Sequence, residues 1–462
     1  MRLVDTHCHL DFDKYDKDRQ DVLERAREAG VARIIIPGTD VASTEKAIAL
    51  SKKYSMIFAA AGIHPHEADK ISAKELAFFR QLAASDNKIA AIGEIGLDYY
   101  RNYSEKANQI KVFQECLKVS RELDLAVILH NRNADKDFLS ILKEESHSRS
   151  GAGIKGVMHC FSGDVNLLNE ILSLGLHVSF AGNITFKNAE KTKDIIKNVP
   201  EDKLLLETDS PFITPEPFRG KRNEPAYVKY LLDVYAGIYS LDRADIARIT
   251  THNANQLFNL GLDEKAVIAY PIRDSLYLNI TNRCTNRCTF CAREYSDYVK
   301  GHNLRLETEP SFDEIIRAIG DLSKYKEIVF CGYGESTIRL DIIKKIADFA
   351  KKKGKQVRLT TNGQANLINE RDITGELKGF IDMVSISLNA RDADEYDRIC
   401  CSTFGKDAYS SMLDFARGCK KTGIKVELTC LDMLGEEGVS ACRKIVGEIG
   451  ADFRLRHLDV VG

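Results

Sequence analysis

A short β-branched run followed by a helical pattern recurs about every 25 to 35 residues through the first half of this chain, and that rhythm admits few folds. Parallel strands need a crossover between them, usually a helix, so strands and helices must alternate. Eight strands are read, at residues 3–7, 33–37, 57–63, 89–94, 126–130, 156–159, 177–181 and 204–209, with amphipathic stretches between them such as 16–29 and 105–123. The α/β class follows, and eight such units predict a TIM-type (β/α)8 barrel, a fold whose chemistry sits where its strands end. The last barrel helix is expected to end at 255–260, with Gly261 as its stop signal.

Metal-type residues fall at those strand ends. His7 and His9 close the first strand as H-x-H, and two residues so spaced on an extended chain point to one face. Glu94 closes the fourth strand, His130 the fifth, His159 the sixth and Asp209 the eighth. A lone histidine at such a place is more often a structural hydrogen-bonding residue, but six histidines and carboxylates together read as a metal centre. The arrangement predicts two divalent cations (Zn, Mn or Mg) about 3.5 to 4 Å apart, a geometry that clamps the attacking and leaving oxygens of a phosphate ester. His7, His9 and Asp209 would hold one ion, His130 and His159 the other, with Glu94 between them. Two dications and two carboxylates leave a charge near +2, suited to an anionic diester, and Asp209 is also placed to act as general base.

The blocks around these residues are VDTHCHLD at 4–11, GIHPH at 62–66, GEIGLDYY at 93–100, HNR at 130–132, HCFSG at 159–163, ETDSP at 207–211 and RGKRNEP at 219–225. Over about residues 1–262 they resemble the TatD family of metal-dependent deoxyribonucleases. The resemblance implies a hydrolase, in many members a 3′-to-5′ exonuclease on DNA, with Glu94 and Asp209 catalytic and nucleic acid as the substrate. His64, in the GIHPH block, is expected either to meet substrate phosphate or to support a ligand by hydrogen bonding. Arg222, with Arg219 and Lys221, forms a basic cluster read near the barrel mouth, either a phosphate contact or a solvated loop. Asn133 and Ala126 stand where family members often carry Asp and Pro.

The second half carries Cys284, Cys288 and Cys291 as C-x3-C-x2-C, straight after an alternating run at 274–280. A cubane iron–sulfur cluster normally takes four cysteines, so three thiolates on one loop would leave an iron open. A zinc site and a set of packed thiols are the other readings. With Phe290 before the last cysteine, the loop resembles the signature of radical S-adenosylmethionine (SAM) enzymes, over about residues 268–462. That implies a [4Fe–4S] cluster whose open iron SAM chelates, a reductant protein such as flavodoxin or ferredoxin, and a partial (β/α)6 barrel. Six strands are read for it, at 276–281, 327–331, 356–361, 383–389, 425–430 and 452–457.

Gly332, Gly334 and Glu335 follow the second of these strands and resemble the motif that holds the SAM amino group, with Ser336 where proline is usual; a tight turn is the alternative. Asn362 after the third strand, and Ser387 and Asn389 on the fourth, resemble the family's ribose and carboxylate contacts, or are turn chemistry and a polar barrel layer. Cys331, Cys400, Cys401, Cys419, Cys430 and Cys442 lack ligand spacing and are read as buried thiols.

Two domains are expected, 1–262 and 263–462, closely joined because no Gly/Ser-rich tether separates them. A net charge of -2 gives no general attraction to nucleic acid or acidic membranes. No apolar run approaches the roughly 18 residues of a membrane span, and no secretory signal precedes the first strand, so a cytoplasmic protein is expected. The whole resembles TatD-associated radical SAM proteins: a phosphodiesterase joined to a radical enzyme whose substrate the resemblance does not supply. Two other functions stay open, an ester hydrolase such as an aminoacyl-tRNA deacylase, and a SAM- or cluster-binding sensor that regulates the hydrolase.

Overall fold

The computed structural model describes residues 1–86, 88–101, 103–148, 153–262 and 265–457. The chain forms two compact units, Met1–Asp263 and Glu264–Gly462; the expected boundary at 262/263 touches residues outside those described. Among the described residues, no helix is long and apolar enough to cross a membrane.

The first unit is an eight-stranded parallel sheet in sequential order: β1 (Leu3–Asp5), β2 (Val31–Ile36), β3 (Ile57–Ala61), β4 (Ile89–Asp98), β5 (Ala126–Arg132), β6 (Gly156–Met158), β7 (His177–Phe180) and β8 (Leu204–Leu206). The seam between β1 and β8 closes just beyond the strands. Thr6 N donates to Leu206 O (3.0 Å), Asp209 N to His7 O (2.9 Å), and Cys8 bridges to Ser210 in parallel. All ten residues of β4 are buried, as a parallel strand covered on both faces must be.

Alternation divides the strands between two cores. Ile34, Ile36, Ile92 and Leu129 face the helices, whereas Val4, Ile35, Ala60, Ala91, Val157 and Leu205 fill the barrel interior. Phe258 and Leu260 join that interior cluster and plug its lower end. The last helix, Arg243–Phe258, stops with Asn259 in the left-handed region (φ 50°), so Asn259 rather than Gly261 is its cap.

Several expected strand ends lie beyond the ladder. His7, His9, His159 and Asp209 sit in irregular segments that follow β1, β6 and β8 rather than on the strands themselves. Cys160 (φ 46°) and Asp209 (φ 52°) turn the chain inward there.

The second unit holds a seven-stranded sheet. Six strands run parallel as expected: β10 (Ser275–Leu278), β13 (Glu327–Phe330), β14 (Gln356–Thr361), β15 (Met383–Ser387), β16 (Lys425–Leu431) and β17 (Asp452–Arg456). The seventh, β9 (Ala269–Ile272), lies in the stretch read as a connector. It pairs antiparallel with β10 through a turn at Arg273 (φ 55°) and puts Pro271 on a sheet edge, where its missing N–H is tolerated. A two-residue ribbon, β11 (Tyr298–Val299) with β12 (His302–Asn303), follows the cysteine loop.

Because Phe258 is 3% exposed inside the barrel base, Phe258→Ala is expected to destabilise the first unit by about 3 to 5 kcal/mol. Urea unfolding of the whole protein would read this as an earlier transition of that unit; an unchanged midpoint would mean the base is not a packed plug.

Candidate functional site

The barrel mouth is built from the seam upward. The buried Asp5 carboxylate accepts from Thr208 N (2.9 Å) and Thr208 Oγ1 (2.6 Å), which ties the end of β1 to the chain leaving β8. His7, His9 and Asp209 therefore stand together: the two Nε2 atoms are 3.3 Å apart, and Asp209 Oδ1 lies 3.8 Å from His7 and 3.6 Å from His9.

Glu94 reaches in from β4 and faces two ways. Its Oε2 is 3.4 Å from His7 Nε2 and 3.9 Å from His9 Nε2, while its Oε1 is 2.8 Å from His130 Nδ1, 2.9 Å from His159 Nε2 and 3.5 Å from His64 Nε2. Only glycine fits at position 62, because a Cβ there would meet Gly38 O at 2.2 Å and Glu94 N at 2.3 Å. Backbone contact of the chain just beyond β2 and β3 with the middle of β4 thus sets the height of this carboxylate.

The expected first set, His7 with His9 and Asp209, is assembled. So is the second, since Glu94 Oε1 lies 2.8 Å from His130 Nδ1 and 2.9 Å from His159 Nε2, and these two nitrogens are 3.4 Å apart. His159 also stacks on His7 (4.0 Å, 8°) and converges with His7 and Glu94, and His64 joins Glu94 and His130 as a further convergent group. Within each group the donor atoms lie within 4.8 Å of one another. Buried imidazole and carboxylate lone pairs aimed at one another, such as His130 Nδ1 and His159 Nε2 at 3.4 Å, are the donor set that first-row dications take. The residues fit the divalent metals that the resemblance implies.

Protonation fits as well. Burial, with His159 alongside, lowers His7 to about 4, which leaves its imidazole neutral and able to bind a cation. Burial alone would raise Glu94, but the surrounding imidazoles hold it well below the usual carboxylate range. His159 moves the other way: burial opposes its charge, yet Glu94 raises it to about 9.

Four supporting groups escaped the sequence reading although they lie inside the quoted blocks. Asp98 Oδ2 binds His66 Nε2 (2.9 Å) and His130 Nε2 (3.3 Å), turning His130 Nδ1 toward Glu94. Glu207 accepts from Cys160 N (2.7 Å) and Ser179 Oγ (2.6 Å) and lies 3.9 Å from His159 Nδ1. Asp5 and His66 complete the four. Spacing alone does not separate such braces from ligands.

Above the cluster opens a cleft of ≈ 650 Å³ whose lining includes Phe12, Arg132, Asn183 and Phe212. Four aromatic rings of this unit are exposed among the described residues. Tyr100 (54%), Tyr103 (63%) and Phe212 (44%) stand in the loops after β4 and β8, and Phe78 lies elsewhere, on the helix Ala73–Ala83. Arg222 does not line the cleft. Its guanidinium is forked onto Asp18 (2.6 and 2.9 Å) and stacked on Tyr15, so the expected phosphate contact is already occupied by a carboxylate.

In the second unit Cys284, Cys288 and Cys291 are half-buried free thiols on one loop. A cubane interposes its own irons and sulfides between its cysteines, so the three need not converge on one point. Arg293 bridges the loop by donating to Asn282 O (3.1 Å) and Asn286 O (3.2 Å) and places positive charge beside Cys284 and Cys291. Three accessible thiols next to a fixed cation fit a cluster.

Gly332 and Gly334 press backbone against this loop, since a Cβ would meet Asn279 Oδ1 at 2.4 Å and Arg283 O at 2.3 Å. Glu335 is buried, with its carboxylate accepting from Thr337 N, Thr337 Oγ1, Thr361 Oγ1 and Asn362 N, which makes it a brace between two strand ends. Asn362 Nδ2 donates to Thr285 Oγ1 (2.9 Å). Ser387 ends β15, and Asn389 follows it at φ 49°.

Since His159 must lose its proton to bind a cation, metal affinity is expected to rise with pH up to about 9 and binding at pH 7 to release a proton. Calorimetry in two buffers of different ionisation heat measures that release; equal heats would contradict it.

Comparison with known proteins gives a family match in each unit. Residues 4–259 match the family described as TatD related DNase, and residues 278–442 match the Radical SAM superfamily. The chain is 43% identical over 259 residues to the Bacillus subtilis protein named uncharacterized metal-dependent hydrolase YabD, covering 56% of this chain and 100% of that one. It is 35% identical over 264 residues to the 3′-5′ ssDNA/RNA exonuclease TatD of Erwinia tasmaniensis, again 56% of this chain and 100% of the relative. The crystal structure of YjjV, a TatD homolog from Escherichia coli, superposes with a TM-score of 0.52 at 34% identity over 56% of this chain and 98% of that one. The chain therefore belongs to the TatD-related DNase family of metal-dependent hydrolases and carries a radical SAM domain after its barrel.

Proposed function

We propose that the barrel is a dinuclear-metal phosphodiesterase that shortens single-stranded nucleic acid from the 3′ end, and that the second unit is a [4Fe–4S], SAM-dependent radical enzyme. The observation that carries the first half is Glu94, whose two oxygens face two histidine sets. His7, His9 and Asp209 hold one cation, and His130 with His64 or His159 the other. Two divalent cations bound there would neutralise phosphate charge and lower the pKa of water.

The chain's own residues do the rest. The Asp209 side chain is 13% exposed on the open side of the cluster, where it can take the proton of the attacking water. Phe212 follows β8 and Tyr100 follows β4, strands four apart in an eight-stranded order and so on opposite sides of the mouth. Arg132 lies over the Tyr100 ring at 3.9 Å. Two exposed rings flanking a cluster suit bases splayed from a single strand, because every base offers a face to stack. The name of the Erwinia relative supports the 3′-to-5′ direction.

In the second unit Cys284, Cys288 and Cys291 hold the cluster. Gly332, Gly334, Glu335, Asn362, Ser387 and Asn389 form the SAM side of the site, and a reductant protein such as flavodoxin or ferredoxin supplies the electron.

Asp209→Asn is expected to lower kcat on a 3′-labelled DNA strand by about 10² or more. Phe212→Ala should raise KM about ten-fold on that strand but not on one whose terminal nucleosides are abasic. Aminoacyl esters cleaved faster than the DNA strand would overturn the phosphodiesterase reading. Anaerobically reconstituted protein should release 5′-deoxyadenosine from SAM under a strong reductant, and Cys288→Ala should not.

A further inference from the structure

A strand of nucleic acid brings more phosphates into a cleft than the one that is cut. A chain with a net charge of -2 offers them no general attraction. The cleft lining sharpens the problem, because it includes the carboxylates of Glu67, Glu94, Asp98 and Asp209. Two dications at the cluster would meet the scissile phosphate, but a phosphate one nucleotide further along would face that acidic lining unless a fixed cation stood beside it. The basic cluster expected at the mouth does not supply one. Arg222 is forked onto Asp18, and neither Arg219 nor Lys221 lines the cleft.

Arg132 does. Among the described residues that line the cleft it is the one lysine or arginine. It is the last residue of β5, pairs with Asp98 of β4, and its O accepts from Tyr99 N (2.8 Å), so its backbone is part of the ladder. Ile128 fills the barrel interior, and by alternation His130 and Arg132 follow it on the same face. Arg132 therefore stands two residues beyond His130, about 6.6 Å further out along the strand.

Its side chain is exposed and, among the described residues, makes no hydrogen bond and no ion pair. The guanidinium rests over the Tyr100 ring at 3.9 Å, and Arg101 lies over the same ring at 5.3 Å. A guanidinium held by an aromatic face keeps its N–H fork free for an oxyanion. Two arginines gathered on one ring, neither paired with a carboxylate, also repel each other, and an anion between them relieves that repulsion.

We propose that Arg132 is a phosphate subsite beside the metal cluster: it forks onto the phosphodiester one nucleotide 5′ of the bond being cut, with Tyr100 holding the guanidinium in place. The 3′-terminal nucleotide carries no phosphate beyond the cut, so any second phosphate lies on the 5′ side. The ligand class is a single strand with at least two phosphodiester linkages, since a dinucleotide leaves Arg132 empty. The inference rests on the phosphodiesterase reading of the barrel.

The test pairs the residue with the phosphate. The full chain loaded with manganese is assayed on the thymidine dinucleotide, on the trinucleotide, and on a trinucleotide whose 5′ linkage is an uncharged methylphosphonate. The readout is kcat/KM for the cut nearest the 3′ end. The unchanged protein is expected to prefer the all-phosphate trinucleotide by about ten-fold over both other substrates. Arg132→Gln should treat the two trinucleotides alike, and Arg132→Lys, which keeps the charge but not the fork, should lie between. In anisotropy titrations of an oligothymidylate, the slope of log affinity against log salt should shrink by about 0.7 in Arg132→Gln and stay in Arg132→Lys.

A methylphosphonate penalty of equal size in the unchanged protein and in Arg132→Gln overturns the proposal, because a residue that only supports Tyr100 would not sense the charge of one linkage. So does an unchanged protein that gains nothing from the second phosphate. Failure of the manganese-loaded, unchanged protein to cut any of the three substrates overturns the phosphodiesterase reading instead.

Discussion

A carboxylate that is 5% exposed among five imidazoles has to be compensated, because an unpaired charge cannot be buried at tolerable cost. Glu94 is that carboxylate, and the first unit is arranged around it. In the metal-free protein the compensation is a proton on His159, held up to about pH 9 by Glu94 itself. His159 is raised above its unfolded value, so its contribution to stability is complete below about 6.5 and is lost as pH rises through 9. A dication bound there would take over the same duty, so the site can be assembled before a metal arrives.

What holds Glu94 is backbone. Gly62 lets the chain beyond β2 and β3 close on its amide, and the Asp5 to Thr208 bonds bring the seam residues up to its other oxygen. The second unit meets the same demand by other means. Its three spaced cysteines sit on a loop with no ladder of its own, so rigidity comes from side chains: Gln364 with all four hydrogen bonds satisfied, Glu335 with four donors, and Arg293 across the loop. Fully satisfied buried networks of this kind specify one arrangement, whereas a partly satisfied one would not.

Periodicity was enough to find all eight barrel strands and the six parallel strands of the second sheet, and the strand-end rule was enough to find six of the residues that converge on the cluster. What escaped was long-range. Arg222 is paired with Asp18 across 204 residues, so nothing local marks it. His64 lies two residues from a supporting histidine in one block, and its direction depends on how β3 and β4 close at Gly62. The edge strand β9 was missed because Pro271 reads as a break, although a sheet edge accepts it.

The misplaced strand ends have a common cause. Ladder residues alternate between two faces, so parallel strands cannot by themselves aim many side chains at one point. The chain has to leave the ladder first, and after β6 and β8 it does so through left-handed residues. Asp124, Ser240 and Asn259 also have positive φ, but each only caps a helix. Cys160, Asp209 and Ile213 cap none and line the cleft. A β-branched residue at φ 45° is costly and persists only where its surroundings impose it. Asn223 imposes it here: wholly buried, it donates from Nδ2 to Thr208 O (2.9 Å), Phe212 O (2.6 Å) and Ile213 O (3.3 Å). The same clamp holds Asp209, a candidate general base, and Phe212, a candidate stacking ring, in one rigid turn. Backbone strain in this barrel is thus concentrated on the segment where proton transfer and substrate positioning would have to be kept in register.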